Sequence, residues 1–381
     1  MSSLSRDLKK CIVLSDSFKG TLSSTEIAAI ARGAVPEIFP DCEVLAFPVA
    51  DGGEGTVDCF LEAMPGERVA ADVTGPYPGE RVRAAYGRFG GTAVVEMAAA
   101  AGLPMVGERR DPSRTTTFGV GELIRHAVGA GCRSVLLGLG GSATTDGGCG
   151  CAAALGTKFY NAAGETFVPV GATLGDIAAI DNTAADALLR GVTVTVMCDV
   201  DNPLCGESGA AYVFGPQKGA DEAMVRRLDD GLRRLAGKLA ETFGGDFAAV
   251  PGAGAAGGMG AGCLAFLRAS LRPGIEAVLD TIGFDRLLDG ADLVLTGEGR
   301  FDAQSARGKV ISGIARRTRA RGVPLVAIVG CIDDSAAAAY DLGVTAMFAI
   351  DRMALPFSQS AARSAADYRA TLLDVLRLIR G

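Results

Sequence analysis

Both ends of the chain alternate short apolar runs with longer amphipathic stretches, and that alternation leaves few folds open. Near the start, residues 11–14 read as a buried strand, residues 23–39 as a helix opened by the capping box Ser23-x-x-Glu26, and residues 44–49 as a second strand. Toward the end, strands at 293–296, 324–329 and 344–349 are separated by helices at 305–319 and 334–342, and a last helix covers 361–379. Apolar runs this short, set between helices, belong to a parallel sheet covered on both faces.

The middle follows another rule. Residues 68–96 alternate apolar and polar positions in closely spaced segments split by Gly-Pro-Tyr-Pro-Gly and Phe-Gly-Gly, the pattern of an antiparallel or mixed sheet. A helix over 120–130, a strand over 134–139, a glycine loop, a further helix and a strand over 192–197 come next. The expected fold class is α/β with two domains. An open, doubly wound, Rossmann-like parallel sheet is built from both termini (1–74 plus 289–381), and a mixed α/β domain (75–288) is inserted in it. Ligands of such folds sit beyond the carboxyl ends of strands, so the active site is expected in the cleft between the domains.

Composition removes several classes of function. The net charge of −7 has the wrong sign for a chain whose main partner is nucleic acid or an anionic membrane, and no apolar run approaches the roughly 18 residues of a membrane span. Ten cysteines include no C-x-x-C pair, which argues against a zinc ribbon, a redox centre or a disulfide-stapled domain. With no signal-peptide pattern at the start, a reduced, cytoplasmic protein is expected; a homo-oligomer is compatible with everything here. The single histidine, His126, falls inside a helix with no nucleophile pattern nearby, so a structural role is expected and a serine hydrolase is not.

What remains is glycine, 53 residues of it, gathered beside polar groups at strand ends. The segment Gly138-Leu-Gly-Gly-Ser-Ala-Thr-Thr-Asp-Gly-Gly-Cys-Gly150 follows a strand and opens a helix. Gly140 and Gly141 offer free N–H groups, and Ser142, Thr144 and Thr145 offer hydroxyls, which together suit phosphate. It is no Walker loop, because the Gly-Lys-Ser/Thr ending is absent. A second run, residues 251–260, contains a formal GxGxxG but follows a poor strand, so it reads as close packing with a nucleotide contact held in reserve. Carboxylates stand next to glycine at Asp51-Gly-Gly-Glu54, Asp146-Gly-Gly, Asp199-Val-Asp201 and Glu298-Gly-Arg300-Phe-Asp302, as a proton acceptor and Mg²⁺ require. Lys19, Lys218, Arg300 and Lys309 could hold phosphate or a substrate carboxylate.

In order along the chain, Asp16-Ser-Phe-Lys-Gly20, Pro48-Val-Ala-Asp-Gly-Gly-Glu-Gly-Thr56, the loop 138–150, Cys198-Asp-Val-Asp-Asn-Pro-Leu204, Phe214-Gly-Pro-Gln-Lys-Gly219 and Thr296-Gly-Glu-Gly-Arg-Phe-Asp302 with Gln304 resemble the bacterial glycerate kinase family. The resemblance spans nearly the whole chain. It implies phosphorylation of D-glycerate by ATP with Mg²⁺, with 2-phosphoglycerate the expected product. One departure is Thr145, where Asn is expected in the family's run; threonine keeps a donor and an acceptor.

On this resemblance the catalytic residues are Asp199 as base, with Lys19 and Arg300. Substrate falls to Asp16, Ser17 and the segment Asp51, Gly52, Gly53, Glu54; the nucleotide to Gly140, Gly141, Ser142, Thr144, Thr145 and Lys218; the metal to Asp201, Glu298 and Asp302. Three readings compete: the same kinase acting at the 3-hydroxyl or on another small hydroxy acid, a non-catalytic metabolite sensor, and a nucleotide-dependent oxidoreductase. The last lacks a dinucleotide fingerprint at the first βα turn.

Overall fold

The computed structural model describes residues 7–18, 20–49, 52–53, 55–301 and 310–381. They pack as two compact units, residues 1–50, 62–64 and 275–381 in the first and 51–61 and 65–274 in the second.

The first unit is built on a five-stranded, wholly parallel sheet. In spatial order it runs Ala346–Ala349 (β11), Leu325–Val329 (β10), Leu293–Gly297 (β9), Lys10–Ser15 (β1) and Glu43–Pro48 (β2). The period of two in β1 gives it two apolar faces, as a strand inside the sheet requires. Cys11 and Val13 pack with Ile27 and Ala31 of α1 (Ser24–Ile38) and with Leu372 and Leu376 of α9 (Ser364–Arg380). Ile12 and Leu14 pack on the other side with Leu279 of α7 (Gly274–Thr281) and with Ile311 and Ile314 of α8 (Val310–Arg321). Both faces are therefore helix-covered, and the strand order reverses between β1 and β9, where open α/β sheets gather ligands. The α1 capping box forms as expected: Ser23 Oγ accepts from Glu26 N at 3.1 Å, and Glu26 Oε2 accepts from Ser23 N at 2.8 Å. Arg317 of α8 ties α7 into this unit by donating to Glu276 and Asp280 at 2.6 and 2.7 Å.

The second unit carries a six-stranded sheet, in spatial order Ser270–Arg272 (β8), Thr193–Met197 (β7), Ser134–Gly138 (β6), Thr92–Glu96 (β5), Arg81–Phe89 (β4) and Glu67–Thr74 (β3). Strands β5 to β8 are parallel, and β3 and β4 enter as an antiparallel meander. Behind the sheet, α3 (Phe118–Gly129) meets α4 (Cys149–Leu155) closely, because Gly121 lets the helices touch: a Cβ there would lie 2.3 Å from the Cys151 carbonyl oxygen. His126 is structural, its Nδ1 3.2 Å from the Tyr86 hydroxyl with the rings edge to face. Cys149 and Cys151 are buried in the core, and burial pushes both thiols well above the ordinary range.

Two boundaries move relative to the sequence expectation. Residues 51–61 and 65–74, expected with the terminal sheet, belong to the second unit, where 67–74 form β3 in antiparallel register with β4 from Glu67↔Arg88 to Thr74↔Arg81. Residues 275–288, expected in the insertion, belong to the first unit, where Ile275 and Leu279 are buried. The helix expected over 334–342 opens as a 3₁₀ turn, Asp334–Ala337, capped by Asp333, before Ala338–Leu342 turns α-helical. The helix expected over 305–319 is described from Val310 to Arg321.

Leu295, at the middle of β9 and fully buried, probes the first unit's core. Leu295→Ala should cost about 2–5 kcal/mol in urea unfolding, the usual range for a buried leucine; a loss below about 1 kcal/mol would contradict a packed central strand.

Candidate active site

In the second unit two glycine segments meet main chain to main chain. After β6, Gly140 N donates to Gly52 O at 3.2 Å. A Cβ on Gly138 would lie 2.2 Å from Gly52 O, and one on Gly140 would lie 2.5 Å from Gly53 Cα, so no larger residue fits either place. These contacts form one wall of a cavity of about 390 Å³, lined by Gly53, Gly140, Gly141, Ser142, Asp199 and Lys218 among others. Six of the sequence-selected residues, given three different roles, thus face one space. The rest of the lining, including Leu103, Met197, Phe214 and Ala256, is mostly apolar. Leu103 and Met197 carried no site signal in the sequence, because apolar residues at such positions look like core, and Phe214 and Ala256 entered only within the motifs 214–219 and 251–260.

The phosphate-type loop is held from below by Asp146. This carboxylate is fully buried and accepts from Thr117 N at 2.7 Å, Thr117 Oγ1 at 2.8 Å, Gly148 N at 3.1 Å and Gly150 N at 3.2 Å. Burial pushes its pKa up, and the four donors oppose the shift. Asp146 therefore braces the loop and, like Glu298 of another acidic cluster picked from sequence, does not line the cavity.

Lys218 supplies the second brace. It ends the 3₁₀ turn Pro216–Lys218, is 2% exposed, and donates from Nζ to Ser142 Oγ at 2.8 Å and to Thr144 O at 2.7 Å. Burial lowers its pKa from 10.5 to about 7, opposed by the charge of Asp146. Thr144 and Thr145, expected to present hydroxyls to a nucleotide, are fully buried and outside the cavity lining; among the described residues neither Oγ1 has a hydrogen-bond partner. The second glycine run packs against the same loop. Residues 256–258 of α6 (Ala255–Phe266) have positive φ, Gly147 N donates to Gly257 O at 3.1 Å, and Ala255 and Ala256 line the cavity.

Asp199 extends beyond β7, and its Oδ1 accepts from Gly274 N at 2.8 Å. Asp201 is exposed and does not line the cavity. In the first unit, Asp16 N donates to Gly297 O at 2.9 Å and Asp16 Oδ1 accepts from Ser17 N at 2.7 Å, so Asp16, Ser17 and Glu298 gather at the carboxyl ends of β1 and β9. Glu298 is buried there, and Thr296 Oγ1 beside it has no partner among the described residues. Arg300 pairs with Asp333 at 2.8 Å, and this hydrogen bond together with those from Ser335 pulls the Asp333 carboxyl down to about 2. Sequence reasoning missed Asp333, whose turn-like Asp-Asp-Ser setting carries no catalytic signal. Lys19, Asp51, Glu54, Asp302, Gln304 and Lys309 lie outside the described residues.

The chain is similar to known proteins along nearly its whole length. Residues 11–380 match the model of the Glycerate kinase family. The chain is 46% identical over 344 residues to a glycerate kinase of Bacillus cereus, covering 90% of each chain. It is 43% identical over 344 residues to a glycerate 2-kinase of Escherichia coli, again covering 90% of each. A crystal structure of a glycerate kinase 2 candidate from Salmonella typhimurium superposes with a TM-score of 0.86 at 41% identity, covering 98% of this chain and 99% of that one.

The lowered pKa of Lys218 has a measurable sign. Between about pH 7 and the ordinary lysine value, the unfolded chain binds a proton at this residue that the folded chain lacks, so stability rises with pH across that window. Urea unfolding at about pH 6.5 and about pH 9.5 should show part of that rise disappearing in Lys218→Met; equal slopes in parent and variant would rule out a neutral buried lysine.

Proposed function

The chain belongs to the glycerate kinase family, and on that premise we propose that it transfers the γ-phosphoryl group of ATP to the 2-hydroxyl of D-glycerate with Mg²⁺. The observation that carries this reading is the shared cavity, where loop amides suited to phosphate, a carboxylate suited to proton abstraction and a glycine of the Asp51–Glu54 segment line one space.

Phosphoryl transfer asks for positioning and charge neutralisation more than for covalent chemistry. The N–H of Gly141 and the Ser142 hydroxyl hold the phosphates beside Gly140, whose own N–H is taken by Gly52 O, and Lys218 Nζ fixes the loop shape they need. The Thr144 and Thr145 side chains then act from beneath, on the loop. Asp199 takes the proton of the attacking hydroxyl, its orientation set by the Gly274 N–H. By the family resemblance, glycerate is assigned to Asp16, Ser17 and the segment Asp51, Gly52, Gly53, Glu54, and its carboxylate and the charge that develops in transfer are assigned to Lys19 and Arg300.

Mg²⁺ in such sites is bound by one or two carboxylates plus the phosphates and keeps several waters. Among the described residues no three His, Cys, Asp or Glu side chains are grouped as a metal cage, which suits a cation that arrives with its nucleotide. Glu298, a hard oxygen donor buried at the end of β9, would hold it together with Asp302, and exposed Asp201 would act through water. When bound, the cation neutralises charge on the β- and γ-phosphate oxygens.

Two measurements test this. ³¹P and ¹³C NMR of the product from ATP, Mg²⁺ and D-glycerate should show phosphorus coupled to C2. Coupling to C3 overturns the regiochemistry, and intact ATP overturns the kinase reading for this acceptor. Asp199→Asn should lower kcat by at least about 10²-fold, the low end for acid–base groups, with unchanged circular dichroism; an unaltered kcat removes Asp199 from the role.

A further inference from the structure

Glu96 ends β5, and the cavity does not use it. Its Oε1 accepts from Val57 N at 2.6 Å, and its carboxylate is bonded as well by the N–H of Gly55. Both donors come from the opening of α2 (Thr56–Ala63), where the first N–H groups of a helix have no partner within it. The cap is non-local, reaching across 39 positions of sequence. The turn it holds is the one that carries Gly52 and Gly53. Thr56 Oγ1 donates to Gly53 O at 2.7 Å, and Gly55 adopts φ +90°, a conformation left to glycine.

The other end of the same segment is fixed by β6. Glu96 stands in register with Gly138, and Met97 N donates to Gly138 O at 3.0 Å. Gly138 in turn abuts Gly52 O, and Gly140 N bonds that same oxygen. Two adjacent strand ends therefore grip this turn, β6 meeting Gly52 and Gly53 through its main chain and β5 meeting Gly55 and Val57 through one carboxylate. The phosphate-type loop has braces of its own in Asp146 and Lys218, so the Glu96 carboxylate serves the acidic glycine segment in particular.

We infer that Glu96 is a positioning residue for glycerate, holding Gly52 and Gly53 of the acidic glycine segment in place through the N–H groups of Gly55 and Val57. This rests on the reading that assigns that segment to glycerate. Nothing in the local sequence announced the role, because a glutamate closing an apolar strand looks like a solvated end.

The test compares Glu96→Ala, Glu96→Gln and Asp51→Asn with the parent by steady-state kinetics on both substrates and by thermal melting. Glu96→Ala should raise KM for D-glycerate by about tenfold or more while KM for ATP changes by less than about twofold, the pattern of a displaced substrate segment. Glu96→Gln, which keeps one acceptor oxygen, should fall between parent and alanine variant, and it carries the test if Glu96→Ala does not fold. A rise in KM for glycerate in Asp51→Asn alone, with the Glu96 variants changed only in melting temperature, overturns the proposal and leaves the glycerate assignment standing. No change in that KM for any of the three overturns both.

Discussion

The second unit is organised around one buried carboxylate. Asp146 is removed from water, which for an ionised group is costly unless donors replace the lost hydration, and here four do so. They come from the start of α3 and from the loop and helix that follow Asp146 itself. Each N–H left without an acceptor in such a place costs on the order of 1–3 kcal/mol, so the loop has one low-energy arrangement and little freedom to leave it. A phosphate-type loop that must present its amides in a fixed pattern gains from that rigidity, since preorganised donors need no rearrangement when charge arrives.

Around this brace the cavity wall is made largely of main chain. Contacts such as Gly138 with Gly52, Gly140 with Gly53 and Gly257 with Thr144 O bring backbones closer than any side chain would allow. The abundance of glycine is thereby explained at particular places by closeness more than by flexibility. The charged groups lining the cavity are correspondingly few, Asp199 and Lys218, and Lys218 acts on the loop from behind.

Much of this was legible in the sequence. The alternation of short apolar runs and helices at both ends gave the parallel sheet of the first unit, and the glycine-rich and acidic segments at strand ends gave Gly53, Gly140, Gly141, Ser142 and Asp199 of the cavity lining. What was not legible depends on contacts distant in sequence. Residues 65–74 look equally able to join either sheet until β4 claims them as an antiparallel partner. Asp146 and Asp199 both sit near glycine after a strand, yet one is a brace and the other a lining residue, and burial alone separates them. The pairing of Arg300 with Asp333 joins positions 33 apart and could not be read from either motif. The inward course of Thr144 and Thr145 likewise needed the fold, because a hydroxyl in a glycine loop suggests a ligand whichever way it points.

The central position of β1 also bears on how the chain is made. Its partner on one side, β9, is preceded by Asp292, which binds the N–H groups of Lys9 and Lys10 from 283 and 282 positions away. At about 5–20 residues per second, a nascent chain would wait on the order of 15–55 s between emergence of β1 and arrival of that neighbour. All six strands of the second sheet are synthesised in that interval, so they can pair while the first unit still shows one open edge of an apolar strand. An unpaired edge of that kind invites chaperone capture or misassembly, and the burden falls on the half of the protein whose residues are translated first.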